Sequence, residues 1–318
     1  MTGVIPIVVS AAHDVAPGIK QFTLARVDGT PLPAYSAGSH VVAALRTAQR
    51  VHRNPYSLMG DPRERDVYQI AVRRQTISRG GSDLLHDTVK VGTPLEISHP
   101  VNLFPIARLA RRHILIAGGI GVTPILAHAH ELSRLQAEFE IHYAYRTPDQ
   151  SAYAATLLRL ARGNAHFYCD SAGAPIDFHA LLTDRPLGTH VYICGPEGFI
   201  ATARETARKL GWPASHVHSE RFLAPPIGEA FEVFLARSEK SIEVAPQVSL
   251  LEAIEAAGIA APHLCRGGAC GQCETQVVEV DGEIVHHDVF LDGDEKAAGR
   301  KIMLCVSRLR GRRIVLNL

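Results

Sequence analysis

Short apolar runs punctuate the first third of the chain: Ile5 to Val9, Ile19 to Leu24, Ser39 to Leu45, Val67 to Val72 and Leu95 to Ile97. Gly, Pro and Asp turns separate them, so each run reads as a strand, and their close spacing predicts a small antiparallel barrel over residues 1–107. The rhythm then changes. Ile114 to Ala117 is a solid apolar run followed by helical spacing from Ile125 to Ala137, and Glu140 to Tyr145, His166 to Cys169 and Val191 to Cys194 are further strands. Strands alternating with helices predict a parallel α/β sheet over 108–224. In the last third, Phe231 to Leu235 and Ser241 to Val244 flank a charged turn. Leu250, Leu251, Ile254 and Ala257 recur at helical spacing up to Gly258, and strands follow at Thr275 to Val280 and Ile314 to Leu316. The pattern divides the chain into 1–107, 108–224 and 225–318, with Leu223 to Gly228 as a semi-rigid linker.

Length alone gives a prior of about two domains for 318 residues, with three allowed, and the pattern selects three. At 46% hydrophobic and 20% charged the chain has ample core material. The 33 Lys and Arg nearly cancel the 32 Asp and Glu, so net charge gives no reason to expect nucleic acid or anionic membrane as a partner. The opening MTGVIPIVVS lacks a basic segment, and three Gly and a Pro break the run from Ile114 to Leu126. A cytoplasmic protein without a membrane span, and a monomer, is expected.

The six cysteines add chemistry. Cys265, Cys270 and Cys273 stand in CRGGACGQC, a C-x4-C-x2-C spacing, and Cys305 follows after 31 intervening residues. That is the spacing of plant-type [2Fe–2S] ligands. Gly267, Gly268, Ala269 and Gly271 keep the loop free of bulk, so that backbone N–H groups can face the sulfur atoms. Zinc, with His263 replacing one thiolate, is the competing reading. Zinc sites favour two separate knuckles, whereas here three Cys share one loop, and His263 reads as a loop residue beside Pro262.

In the middle third, Gly118-Gly119-Ile120-Gly121-Val122-Thr123-Pro124 lies between a strand and a helix, where a small turn lets N–H groups approach a pyrophosphate. An unliganded tight turn is the alternative. The later strands end at Arg146, at Asp170 and at Cys194-Gly195-Pro196, which collects polar and small residues at the carboxyl ends where ligands of parallel sheets bind. An acidic side chain after a strand suits a free ribose hydroxyl and a basic one a 2′-phosphate, so Asp170 favours NADH and Arg146 competes. Cys194 alone reads as a buried strand-end thiol, and Cys169 reads as core. In the first third, Arg53-Asn-Pro-Tyr56-Ser57 offers a cation, an aromatic face and a hydroxyl. Arg79-Gly80-Gly81-Ser82 has the makings of a phosphate site. The 17 His carry no assigned chemistry.

The GG-x-G-x-TP turn with a later CGP resembles the nucleotide domain of the ferredoxin–NADP reductase superfamily, and Arg53 to Ser57 resembles its R-x-Y-S flavin motif, with two residues rather than one between Arg and Tyr. Residues 227–318 resemble the β-grasp fold of plant-type ferredoxins, as does His287-Asp288 with Asp294-Glu295 before Cys305. In this order, flavin barrel, nucleotide domain and ferredoxin resemble the phthalate dioxygenase reductase family, which includes vanillate demethylase reductases. The resemblance implies FMN, NADH and a [2Fe–2S] cluster as cofactors. It implies that Tyr56 and Ser57 line the flavin, that Arg79, Gly80, Gly81, Ser82 and Arg53 hold its phosphate, and that Thr123 stands near both cofactors. It places NADH on Gly118, Gly119, Gly121, Cys194, Gly195 and Pro196, and Phe222 over a flavin face; Cys194, Thr123 and Ser57 are the expected catalytic residues. The implied activity is transfer of electrons from NADH through FMN and the cluster to a terminal oxygenase, expected to be a Rieske aromatic hydroxylase or O-demethylase. The alternatives are a cytochrome P450 partner, or an electron carrier without its own NADH oxidation.

Overall fold

The computed structural model describes residues 3–48, 50–76 and 79–318. They form two compact units, one of residues 1–52 and 56–221, the other of residues 53–55 and 222–318.

The first unit opens on the antiparallel barrel sheet. Its strands are β1 (Val4–Ala16), β2 (Ile19–Arg26), β3 (Ser39–Arg46), β4 (Val51–Ser57), β5 (Val67–Arg73), β6 (Pro94–Ser98) and β7 (Val101–Asn102), and α1 (Gly81–Asp87) lies between β5 and β6. The sheet runs β4-β3-β6-β1-β2-β5, with β7 on β3. Ile5, Ile7 and Val9 alternate inward along β1 and join Phe22, Leu24, Val41 and Ile70 in the barrel core. Register shifts at Val9/Ala11 and Asp14/Ala16 bend the long strand. Strand β4 is not predicted by the apolar pattern, because Val51 to Ser57 reads VHRNPYS and is mostly polar.

The second half of the unit is a five-stranded parallel sheet ordered β10-β9-β8-β11-β12. The strands are β8 (Arg112–Gly118), β9 (Phe139–Tyr145), β10 (Ala165–Cys169), β11 (Thr189–Cys194) and β12 (Val217–Glu220). The helices are α2 (Val122–Arg134), α3 (Ala154–Leu160), α4 (Phe178–Leu182) and α5 (Glu197–Lys209). Ile114 to Ala117 is apolar throughout because both faces of β8 are covered. Leu115 and Ala117 pack with Val122 and Ile125 of α2, while Ile114 and Ile116 pack with Ile200 and Ala203 of α5. Helix α2 starts at Val122 rather than Ile125. Gly119–Gly121 forms a single tight turn that feeds it directly, and Pro124 sits in the first turn, where its missing N–H costs nothing.

The C-terminal unit pairs β13 (Phe231–Leu235), β14 (Lys240–Val244), β15 (Glu274–Val285), β16 (Lys301–Met303) and β17 (Arg308–Leu316) in the order β14-β13-β17-β15-β16, with α6 (Leu250–Ala256) and α7 (Gly293–Ala298) alongside. Both helices begin with a capping box, Ser249 with Glu252 and Asp292 with Glu295. β15 and β17 are longer than their apolar cores suggest. Their extensions are polar and hold register by cross-strand ion pairs such as Arg310–Glu283 at 2.8 Å and Arg312–Asp281 at 3.1 Å. Among the described residues no helix is long and apolar enough to cross a membrane.

Candidate functional site

The carboxyl ends of the parallel strands meet at one edge. Register places Cys194 beside Ala117 and Glu220, Gly118 beside Ala144, and Cys169 beside Tyr145. The strand order reverses between β8 and β11, which is where ligands of such sheets bind. Here backbones touch: a Cβ on Gly121 would lie 2.3 Å from the Cys194 carbonyl oxygen, and one on Gly195 would lie 3.1 Å from the Gly118 Cα. Only glycine fits, and the N–H groups of this turn are left close to the crevice. Gly118, Gly119, Gly121, Thr123, Cys194, Gly195 and Pro196 are thus brought to one edge of the sheet. Thr123 is buried, and its hydroxyl donates to the Ile120 carbonyl at 3.1 Å.

The same edge holds a residue to which the sequence pattern gave no role. Glu220 ends β12, and the Ser57 hydroxyl, at the end of β4, donates to its Oε2 at 3.4 Å. Burial pushes the Glu220 carboxyl up to about 8, against the opposing pull of the Ser57 hydrogen bond. Burial and the nearby Glu220 push the Cys194 thiol far up as well, so it is a neutral thiol rather than a nucleophile. The ends of a barrel strand and of the parallel sheet therefore converge on one carboxyl and one thiol. The signal for Glu220 was its place on the strand after the CGP turn; its burial becomes visible only when β12 pairs with β11.

The flavin-motif residues fall into two groups. Tyr56 is half-buried at the barrel core and Ser57 is buried. Arg53 groups instead with residues 222–318, where its Nη1 lies 3.8 Å from Glu255 Oε2. At the Arg79-Gly80 turn the nearby cation is Arg50, which donates to the Arg79 carbonyl and, from Nε, to His52 Nε2 at 3.0 Å. A Cβ on Gly80 would come 3.1 Å from His52 Cε1. Arg50 and His52 went unnoticed in the sequence because they precede the motif in a polar stretch. Gly81 and Ser82 open α1, both buried. Arg146 and Asp170 are exposed at the neighbouring ends of β9 and β10, and Phe222 is 48% exposed at the start of the second unit.

In the C-terminal unit the four thiols fall into two pairs. Cys273 Sγ lies 3.2 Å from Cys305 Sγ, and Cys265 interacts with Cys270. In each pair the hydrogen bond from one thiol holds its partner down: Cys270 brings Cys265 to about 5, aided by N–H groups of Gly267, Ala269 and Cys270, and Cys305 lowers Cys273. Two pairs of cysteine sulfurs, one pair served by loop N–H groups, match the two irons of a [2Fe–2S] rhombus. His263 points its Nδ1 at the Ala261 carbonyl, 2.9 Å away.

Comparison with known proteins agrees with this geometry. The profile of the dimethylamine monooxygenase subunit DmmA-like N-terminal domain matches residues 98–217, and that of the 2Fe-2S iron-sulfur cluster binding domain matches 233–310. The chain is 44% identical over 318 residues to the heme-dependent oxidative N-demethylase beta subunit of Ectopseudomonas mendocina (strain ymp), covering 100% of both. It is 36% identical over 321 residues to the vanillate O-demethylase oxidoreductase of Pseudomonas sp. (strain HR199 / DSM 7063), covering 99% of this chain and 100% of that one. The solved structure of phthalate dioxygenase reductase, described as modular for electron transfer from pyridine nucleotides to [2Fe–2S], superposes with a TM-score of 0.89 at 34% identity, covering 99% of this chain and 98% of that one. Fold and site define an NADH-dependent FMN and iron–sulfur oxidoreductase whose cofactors are FMN, NADH and one [2Fe–2S] cluster. The chain belongs to the phthalate dioxygenase reductase family, whose members are the reductase components of oxygenase and demethylase systems.

Proposed function

We propose that this protein is the reductase component of an oxidative demethylation system acting on a methylated amine. It takes electrons from NADH and delivers them singly to a terminal oxygenase on another polypeptide. The observation that carries the electron path is the meeting of Ser57 and Glu220 beside Cys194, since it brings the end of a flavin-type strand to the switch point of a nucleotide-binding sheet. NADH supplies a hydride, the cluster accepts one electron at a time, and the flavin exchanges both.

The residues divide the work. Residues 1–107 hold FMN: Tyr56 and Ser57 line its ring, and Arg79, Gly80, Gly81 and Ser82 hold its phosphate, with Arg50 in the place that Arg53 was expected to take. Residues 108–224 hold NADH, with Gly118, Gly119, Gly121, Gly195 and Pro196 leaving room for its backbone and Thr123 and Cys194 walling the nicotinamide. Asp170 takes the ribose hydroxyl, with Arg146 beside it. Glu220, protonated near neutral pH, would accept the Ser57 hydroxyl and hold it in place where the flavin binds. In residues 225–318 the thiolates of Cys265, Cys270, Cys273 and Cys305 hold the cluster.

The amine substrate class is supported by the dimethylamine monooxygenase profile and by the N-demethylase beta subunit at 44% identity. A second reading, a Rieske aromatic hydroxylase or O-demethylase as partner, is favoured by the vanillate O-demethylase oxidoreductase at 36%. Reconstitution separates the two. Oxygen and NADH consumption coupled to formaldehyde release with an N-demethylase partner, and none with a vanillate demethylase partner, supports the first; the reverse overturns it. Cys270→Ser tests the path itself. Flavin reduction by NADH should persist while reduction of the partner is lost, and retained partner reduction would remove the cluster from the route.

A further inference from the structure

Behind the cysteine loop lies a charged pair that the electron path leaves unassigned. The Asp288 side chain is fully enclosed. Its Oδ2 accepts the Leu291 N–H at 2.9 Å, and its Oδ1 accepts the Ser307 hydroxyl at 3.4 Å. Lys296 Nζ stands 3.6 Å from Oδ2 and donates to the Asp288 carbonyl at 2.7 Å, while His286 Nδ1 lies 3.5 Å from Oδ1. A carboxylate with no exposed surface is expensive to bury and gives little net stability even when paired. Its position suggests another use.

Asp288 braces both segments that carry the thiolates. Gly268, between Cys265 and Cys270, has φ +69, and a Cβ there would come 3.1 Å from the Asp288 Cα and 2.7 Å from Val306 Cγ2. The Val289 N–H donates to the Gly268 carbonyl at 3.0 Å. Ser307, wholly buried, follows Cys305 by two residues and also accepts the His287 N–H at 3.4 Å. The backbone at Asp288 and Val289 thus abuts the three-cysteine loop, while the Asp288 carboxylate holds Ser307 beside the fourth ligand.

We propose that Asp288 and Lys296 set the reduction potential of the cluster as a fixed charge pair. Reduction adds one electron to the cluster and breaks no bond, so a buried negative charge behind the loop disfavours it, and the ammonium beside that charge offsets the effect. Lys296, with 29% of its side chain exposed, tempers what Asp288 does. Both are positioning residues: neither is a ligand, and they act through the loop and through charge.

The inference rests on the cluster assignment, which iron and sulfide analysis of the wild-type holoprotein tests separately. The measurement is a spectroelectrochemical titration of the full-length holoprotein carrying Asp288→Asn or Lys296→Met, with electron paramagnetic resonance of the reduced cluster. Asp288→Asn should raise the midpoint potential and Lys296→Met should lower it, with the resonance signal and the flavin potential unchanged. A purely structural role would not move the two in opposite directions. Unchanged potentials, or shifts of the same sign, overturn the proposal. If Asp288→Asn fails to retain its cluster, Lys296→Met decides, since its side chain reaches the surface: a lowered potential upholds the proposal and an unchanged one overturns it. Loss of the cluster from both variants would make the pair structural and also overturn it.

Discussion

Glu220 carries a proton near neutral pH because burial raises its carboxyl from 4.5 to about 8. A carboxyl raised on folding binds a proton that the unfolded chain has already released, so the folded state loses stability as pH climbs from about 4.5 to 8. Glu220→Gln removes that loss. Its stability advantage over wild type should grow across the window, reaching at most about 5 kcal/mol at roughly 1.4 kcal/mol per pH unit. Thermal denaturation of both holoproteins at pH 5 and pH 8 checks this, and an advantage equal at both would contradict it. The residue was in view in the sequence, but its protonation was not: an acid at a strand end is ordinary until a neighbouring strand and the Ser57 hydroxyl close over it. The cysteine spacing, by contrast, was legible at once, because a loop carrying three thiolates leaves few other arrangements.

At the level of elements, the parallel sheet was readable because both of its faces are covered, which makes β8 apolar without interruption. Strands β4 and β12 were not, since VHRNPYS and VHSE show polar positions that point into a cofactor crevice or along a sheet edge. The approach of the Gly121 turn to the end of β11 is a demand on the elements rather than on one residue. Gly121→Ala forces the backbones apart and should cost roughly 1–3 kcal/mol while raising KM for NADH; a variant with wild-type KM would detach this turn from nucleotide binding. The imidazoles that the sequence left unassigned also belong to elements. His128 of α2 is fully buried and donates from Nε2 to the Phe104 carbonyl at 2.9 Å, and His40 of β3 is nearly as enclosed. Burial pushes both down to about 4. Their neutral forms are favoured in the fold, so stability is complete above about 6.5 and is lost as pH falls toward 4. Urea denaturation between pH 7 and 4.5 should show this decline, and His128→Gln should flatten it; an unflattened profile would assign the acid sensitivity elsewhere.

For the whole molecule, the sequence pattern marks three cofactor segments, while the backbone packs as two compact units, with barrel and parallel sheet together in the first. The apolar residues Met59, Ala71 and Phe104 share one core with Leu115, Val122 and Tyr192, a union that no local period announces because its members lie far apart in sequence. Each cofactor motif was legible because its chemistry is local; what was hidden is how strand ends from different sheets supply one site. The central claim is that electrons from NADH cross the flavin and reach the cluster within this single chain. Anaerobic titration of the holoprotein with stoichiometric NADH, followed by visible absorption, tests it most directly: the flavin and cluster bands should both bleach, whereas bleaching of the flavin alone, or of neither, would contradict it.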